Sequence, residues 1–261
     1  SGSNAVNDKD ATIQITGANS TGISVEENAT AVNRGTITLT STQNSKENYG
    51  MISAGGERAQ IDNDGIINLN GYDYAASKEV GYGMSIGDGR ANNNNTININ
   101  RMYGYGMAST EGTLTNNGTI NLTNGGYGIM GESGESFNNK DATITITGTP
   151  NMQNSYGMSM QDGTAKNFGQ IDVTGGSVDS KTYGISVNGG NGLNHGLINM
   201  HSDNAFGLFD EGDGEITNVA GGTINLYGNN SVGMQTTSGK AENFGTINIG
   251  VDNGTGAIVG G

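Results

Sequence analysis

One heptapeptide decides what this chain can fold into. It stands as Asn116-Asn117-Gly118-Thr119-Ile120-Asn121-Leu122 and returns as Asn243-Phe244-Gly245-Thr246-Ile247-Asn248-Ile249. Weaker copies place the first isoleucine at 13, 37, 67, 97, 120, 144, 171, 198, 224 and 247. The intervals are 24, 30, 30, 23, 24, 27, 27, 26 and 23, a mean of 26. A unit of that size cannot bury a core alone and does so only by stacking on its neighbours, which is the physics of a solenoid.

Each unit carries two further segments. One reads Tyr or Phe, then Gly, then an aliphatic residue: Tyr49-Gly50-Met51, Tyr82-Gly83-Met84, Tyr105-Gly106-Met107, Tyr127-Gly128-Ile129, Tyr156-Gly157-Met158, Tyr183-Gly184-Ile185 and Phe206-Gly207-Leu208. The glycine persists in the weaker copies at Gly22, Gly233 and Gly256. The other segment precedes the asparagine and has a small or apolar residue two positions before it, as at Ala31, Ile61, Ala91, Leu114, Ala165, Ile216 and Ala241. Ile37 and Leu39 alternate with Thr36, Thr38 and Thr40, and a period of two means strand.

The expected fold is therefore all-β, a right-handed parallel β-helix with three strands per coil and about ten coils, ~48 Å long at ~4.8 Å per coil. The hand follows from the general rule for parallel crossovers. An antiparallel sandwich is the competing all-β arrangement, but it explains neither the period nor the same residue type recurring at the same phase. The isoleucines would form an inner spine, with Ile15, Leu39, Leu69, Ile99, Leu122, Ile146, Val173, Met200, Leu226 and Ile249 as a second inner column. Asn33, Asn63, Asn93, Asn116, Asn167, Asn194 and Asn243 would form a turn ladder. Asn7, Asn138 and Asn218 sit two residues further from their isoleucines, behind short insertions. In the aromatic segment, strict alternation puts Tyr and Met on one side, as a stacked core column or an aromatic platform for sugars, and turns the intervening glycine outward.

Composition agrees with a repeat rather than with a thick-cored enzyme. The chain has 261 residues, of which 47 are Gly and 37 are Asn, only 32% are hydrophobic, and one is Pro. Gly does not fall at every third position, so collagen is excluded. There is no Cys, which removes disulfides and thiolate metal sites. With 25 acidic and 11 basic residues the net charge is −14, which repels nucleic acid and anionic membrane. No stretch approaches the ~18 apolar residues of a membrane helix. The first five residues, SGSNA, read as a cloning scar, and the chain stops inside a repeat, so residues 6–261 are expected to be one β-helix segment of a longer protein.

Four coils are longer between the isoleucine and aromatic segments, around 42–48, 71–80, 149–155 and 175–182. Loops on a rigid rod are where solenoids place recognition, so Tyr72, Asp73, Tyr74 and Lys78 form the candidate partner-binding loop. Gly83-Met84-Ser85-Ile86-Gly87 matches the G-x-S-x-G elbow, but no helix pattern follows it and Ser159 and Ser186 repeat its serine. Two histidines, His195 and His201, are too few for a triad or a zinc site. The acidic loop 210–215 has carboxylates suited to Ca²⁺ without EF-hand spacing. No enzyme activity, cofactor or metal is expected.

The paired repeats, N-x-G-T-I-N followed by Ile or Leu and an aromatic residue followed by Gly and Met or Ile, resemble the passenger region of large type V autotransporters, especially the fusobacterial outer-membrane adhesins. The resemblance covers residues 6–261 and lies in repeat style. It implies a rod at the bacterial surface or secreted, carried across the outer membrane by a C-terminal barrel. The expected function is a structural and adhesive stalk segment that attaches to a protein or glycan receptor on host or partner cells. The alternatives are a self-associating or toxin-type passenger, with rod–rod association, and a carbohydrate-active β-helix enzyme. No nucleic acid and no direct membrane insertion by this segment are expected.

Overall fold

The computed structural model describes residues 3–43, 45–72, 78–148, 154–175 and 180–260. Thirty strands form three sheets of ten, and among the described residues there is no helix. The first sheet runs from Asn4–Asn7 to Lys240–Asn243, the second from Thr12–Gly17 to Thr246–Ile249, and the third from Thr21–Val25 to Thr255–Val259. Each sheet takes every third strand, so the chain visits the three in turn and climbs one coil per circuit. The pairings are parallel, and equal phases of the repeat meet: Ile97 faces Ile67 and Ile120, and Tyr105 faces Tyr82 and Tyr127. This is the three-stranded parallel solenoid that the period demands, and the parallel registers rule out the sandwich. The first strand begins inside the segment read as a scar, with Asn4 and Ala5 in register with Thr30 and Ala31.

The isoleucine spine is dry. From Ile37 to Ile224 all eight members have no solvent exposure, and only the end members Ile13 and Ile247 are partly open. Each buried side chain contributes roughly 1.5–3 kcal/mol of gross burial energy. The neighbouring column is equally buried between Leu39 and Leu226, while Ile249 in the last coil is 39% exposed.

The asparagine ladder is continuous over all ten coils. Each Nδ2 donates to the Oδ1 of the next coil's asparagine: Asn7 to Asn33, Asn33 to Asn63, and so on through Asn218 to Asn243, at 2.7–2.9 Å. The second Nδ2 hydrogen goes to the carbonyl of the residue that opens the next coil's second-sheet strand, as Asn116 to Thr143 O at 3.3 Å and Asn138 to Gln170 O at 3.2 Å. Buried amides need their donors satisfied, and here each hydrogen has a partner. Asn7, Asn138 and Asn218 belong to the column itself, in register with Asn33, Asn116 and Asn194. The two extra residues lie after the asparagine and are absorbed in a tight turn. Asp10, Asp141 and Gly221 take positive φ there (65°, 68° and 91°), and Ala11, Ala142 and Gly222 donate backbone N–H bonds back to Asp8, Asn139 and Val219.

The third sheet departs from strict alternation. In Glu47–Ser53, Asn48, Gly50, Met51 and Ser53 are buried, whereas Tyr49 and Ile52 are half-buried and face outward. Gly and Met are thus consecutive inward residues, and the pairing steps from Tyr49–Tyr82 to Met51–Met84. This corrects the expectation that the glycine faces out and the tyrosine shares a side with methionine. The reason is space. A Cβ on Gly50 would lie 2.5 Å from Ile67 Cγ2 and 2.5 Å from Gly83 O, and one on Gly128 would lie 2.3 Å from Ile144 Cγ2 and 2.5 Å from Gly157 O. The glycine lets the aromatic strand press against the isoleucine of the neighbouring sheet.

Thr182 begins Thr182–Val187 and is fully buried, yet its Oγ1 has no hydrogen-bond partner. A buried unsatisfied hydroxyl costs about 1–3 kcal/mol. Thr182→Val removes the cost and keeps the shape, so it is expected to raise the melting temperature; a lower one, read by circular dichroism, contradicts the assignment.

Candidate functional site

The three outer faces differ in what they leave open. On the second sheet the outward asparagines bond to one another. Asn98 and Asn121 donate to the residue one coil before them, Asn68 and Asn98, both at 2.9 Å, and Asn199 donates to Asp172 at 2.6 Å. Asn225 and Asn248 continue the ladder at 2.8 Å. Those amides are spent on neighbours. The first sheet is a mixture in which Lys166 bonds Glu135 at 3.0 Å and sits 5.1 Å from the Phe137 ring.

The third sheet presents aromatic and apolar groups. Tyr49, Tyr82, Tyr105, Tyr127, Tyr156, Tyr183 and Phe206 stack with centroids 4.5–5.3 Å apart and planes within 16°. The spacing is that of the coils, so each ring is held by in-register pairing. The ring faces lie against each other, so the column presents ring edges rather than faces along its length. Tyr103 flanks it, edge-on to Tyr105 and Tyr127, with its hydroxyl donating to Asn154 O at 2.7 Å. Beside the tyrosines runs a column that includes Ile52, Ser85, Ala108, Met130, Ser159, Ser186 and Phe209. Two grooves cut this strip. One, about 280 Å³, is bounded by Tyr82, Ser85, Tyr105, Ala108, Met130 and Glu132. The other, about 210 Å³, is bounded by Tyr127, Met130, Tyr156, Ser159, Ser186 and Glu211. Met130 is a wall of both.

Burial, with help from neighbouring phenols, raises the tyrosine pKa values. Tyr82 is pushed up to about 12 by burial first, then by Tyr105 and Glu47. Tyr103, Tyr127, Tyr183 and Tyr49 are raised further, again chiefly by burial. Folded-state values above the unfolded value near 10 mean that unfolding releases protons. The stability they protect is intact below pH ~10 and is lost as pH rises through the folded values. Each buried phenol contributes a slope of up to about 1.4 kcal/mol per pH unit, less where solvent screens the ring. The melting temperature is expected to be flat up to pH ~10 and to fall steeply above it, with phenolate absorbance rising in the same transition. Tyr103→Phe should soften that fall. Phenolate absorbance equal to most of the ten tyrosines, rising well below the unfolding transition, contradicts the coupling.

Among the other candidates, Ser85 lies on this face and Glu211 of the acidic loop borders it. Tyr72 is 52% exposed, and its N–H donates to Glu79 Oε2 at 3.0 Å. Lys78 is exposed with φ of 54°. Asp73 and Tyr74 lie outside the described residues. The root of this loop is Glu79, fully buried and accepting from Asn48 Nδ2 at 2.7 Å, a residue that nothing in the repeat singles out. Ser85 has Ile52 and Ala108 as its in-register neighbours, not an acid or base. His195 stacks on Phe168 at 4.6 Å, and burial, then Lys166, lowers its pKa; His201 stacks on Tyr227 at 4.7 Å. In the acidic loop, Asp210 is fully buried and accepts from Gly212 N at 3.1 Å and Thr236 Oγ1 at 2.9 Å. Among the described residues no three His, Asp or Glu side chains gather as a metal site. A separate concavity of about 460 Å³ lies at the corner between the first and second sheets. The inserted turns at Asp141 and Gly221 bracket it, with Phe168 and Leu197 between them.

The family model for the BigA third pectate lyase-like domain matches residues 1–129. That similarity covers just under half of the chain and points to a bacterial surface protein built on a β-helix. No curated protein and no solved structure matches the chain.

Proposed function

We propose that this rod is a structural and adhesive stalk segment of a bacterial surface protein of the autotransporter passenger type, and that it is not an enzyme. It acts by display. The inward positions and the outward tyrosines repeat from coil to coil, while the column beside the tyrosines changes from Ile52 to Ser85, Ala108 and Met130, so the repeated part of each unit builds the rod and the changing part is free to meet a receptor. The observation that carries this reading is the outer third sheet. It is the face where half-buried aromatic and apolar side chains are left without a covering layer. The N-terminal similarity to a BigA domain supports placement at the cell surface, and the repeat style supports export through an outer-membrane barrel.

The test is retention of rod-coated beads on host epithelial cells and on partner bacteria, against beads carrying an unrelated acidic β-solenoid. Retention above that control is expected. Equal retention on all cells sinks the adhesive reading, and turnover of a pectin, chitin or xylan panel by the rod sinks the non-enzymatic one.

A further inference from the structure

We infer that the third-sheet face docks a basic, polyproline-II segment of a partner protein, with an apolar side chain at every third position. This deepens the adhesive reading above and rests on it. Three features of the face lead there.

The first is spacing. The two grooves that share Met130 are walled by successive tyrosine pairs, Tyr82 with Tyr105 and Tyr127 with Tyr156. Those pairs are offset by two coils, hence ~10 Å along the rod at ~4.8 Å per coil. A polyproline-II helix rises ~3.1 Å per residue and repeats every three residues, so its like-facing side chains recur every ~9.3 Å. A β-strand alternates every two residues and puts every third side chain on its opposite side. The groove period therefore selects the first conformation, which also docks at low entropic cost against aromatic surfaces.

The second is charge. The grooves end on Glu132 and Glu211. The turns that follow the third-sheet strands add Asp88, Glu111, Asp162 and Asp213 along the same margin. Among the described residues the ion pairs are Asp8–Arg34, Glu135–Lys166, Glu215–Lys240 and Glu242–Lys240, so none engages these six carboxylates. Arg58 and Arg90 lie along the same margin, but the carboxylates outnumber them, and such a margin beside an apolar strip complements arginine or lysine and repels an acidic segment.

The third is the presentation of the rings. The stacked tyrosines hide their faces against one another. A pyranose ring needs a free aromatic face, so the column does not suit a sugar.

The probe is a fluorescein-labelled peptide of four leucine-proline-arginine triplets, followed by anisotropy at low and physiological salt. Three competitors accompany it: the same peptide with glutamate for arginine, a strictly alternating leucine-arginine peptide, and maltoheptaose. Binding to the wild-type rod is expected to weaken about tenfold in Met130→Lys, equivalent to about 1.4 kcal/mol. Glu132→Gln with Glu211→Gln should weaken it by about three- to tenfold, the range of a lost rim charge pair or two. Asp10→Asn with Asp64→Asn removes equal charge at another corner and should change it by less than about twofold. Circular-dichroism melts verify that each variant folds. The proposal is overturned by equal losses in the two double variants, by Met130-dependent binding of maltoheptaose or the glutamate peptide, or by an alternating peptide as tight as the triplet one. Peptide binding without bead retention on cells overturns the adhesive reading alone. Retention that Met130→Lys leaves intact, without peptide binding, overturns the docking alone.

Discussion

Asn116→Asp is expected to cost about 3–5 kcal/mol at neutral pH, the usual penalty for an uncompensated charge in a buried network. Asn116 is fully buried; its Oδ1 accepts from Asn93 at 2.8 Å and from Gly118 N at 3.3 Å, and its Nδ2 donates to Asn138 Oδ1 at 2.8 Å and, shared, to Thr143 O at 3.3 Å and Gly118 O at 3.2 Å. A carboxylate keeps the accepted bonds and turns the donated ones into contacts between acceptors. The substitution carries its own pH control. Burial and facing acceptors raise the folded-state pKa of the new aspartate above its unfolded value of ~3.9. The variant therefore loses least below pH ~4, where a protonated carboxyl donates one hydrogen in place of the amide's two, and loses more as pH rises through the folded value. Its melting temperature should lie closer to wild type at pH 4 than at pH 7. Asn116→Leu, which cannot donate at any pH, should show a deficit without that dependence. If Asn116→Asp falls as far below wild type at pH 4 as at pH 7, the ladder is not the hydrogen-bonded chain described.

The same ladder shows where the sequence is readable and where it is not. The asparagine recurs at fixed phase, its chemistry favours turns and stacked amides, and the coil count follows from the period. Asn7, Asn138 and Asn218 stand two residues further from the following isoleucine because of short insertions, which the spacing itself indicates. The structure keeps them in the column and takes up the surplus residues in turns at Asp10, Asp141 and Gly221. The aromatic segment is where alternation misleads. Alternation assumes an unbroken pleat, and Gly-Met breaks it by placing two successive residues inward. A signal was available. A glycine kept in ten units has no packing reason to persist on an exposed face, but it has one where another side chain approaches the backbone. The grooves were not legible at all, since they arise from what sits side by side in separate coils, Met130 beside Tyr105 and Tyr156, which are 25 and 26 residues away along the chain.

Gly128→Ala is expected to destabilise the rod by about 3 kcal/mol, the upper end for overpacking a dry core, although it adds a single methyl group and improves intrinsic strand preference. Gly128 is not in the left-handed region, so backbone freedom is not the issue. The new Cβ would meet Ile144 Cγ2 at 2.3 Å and Gly157 O at 2.5 Å, one in the spine and one in the next aromatic strand. Neither can yield alone. Ile144 is fully buried and in register with Ile120 and Ile171, and Gly157 sits in a strand paired to its neighbours on both sides. Coils are coupled by nearest-neighbour contacts, so the strain should spread into the adjoining ones and appear as faster hydrogen exchange at Tyr105–Met107 and Tyr156–Met158. Ile144→Ala alone opens a cavity and costs about 2–5 kcal/mol. Combined with Gly128→Ala it vacates the Cγ2 position while leaving the Gly157 carbonyl in the way, so the double variant should be less destabilised than the sum of the two singles, as contacting residues usually are. Gly256, whose Cβ would come no nearer than 4.0 Å to any neighbour, is the matched control, and Gly256→Ala should be close to neutral. Urea midpoints for the four variants decide the matter: strict additivity of Gly128→Ala and Ile144→Ala, or equal costs at Gly128 and Gly256, would mean that the glycine column serves something other than the approach of the aromatic strand to the isoleucine spine.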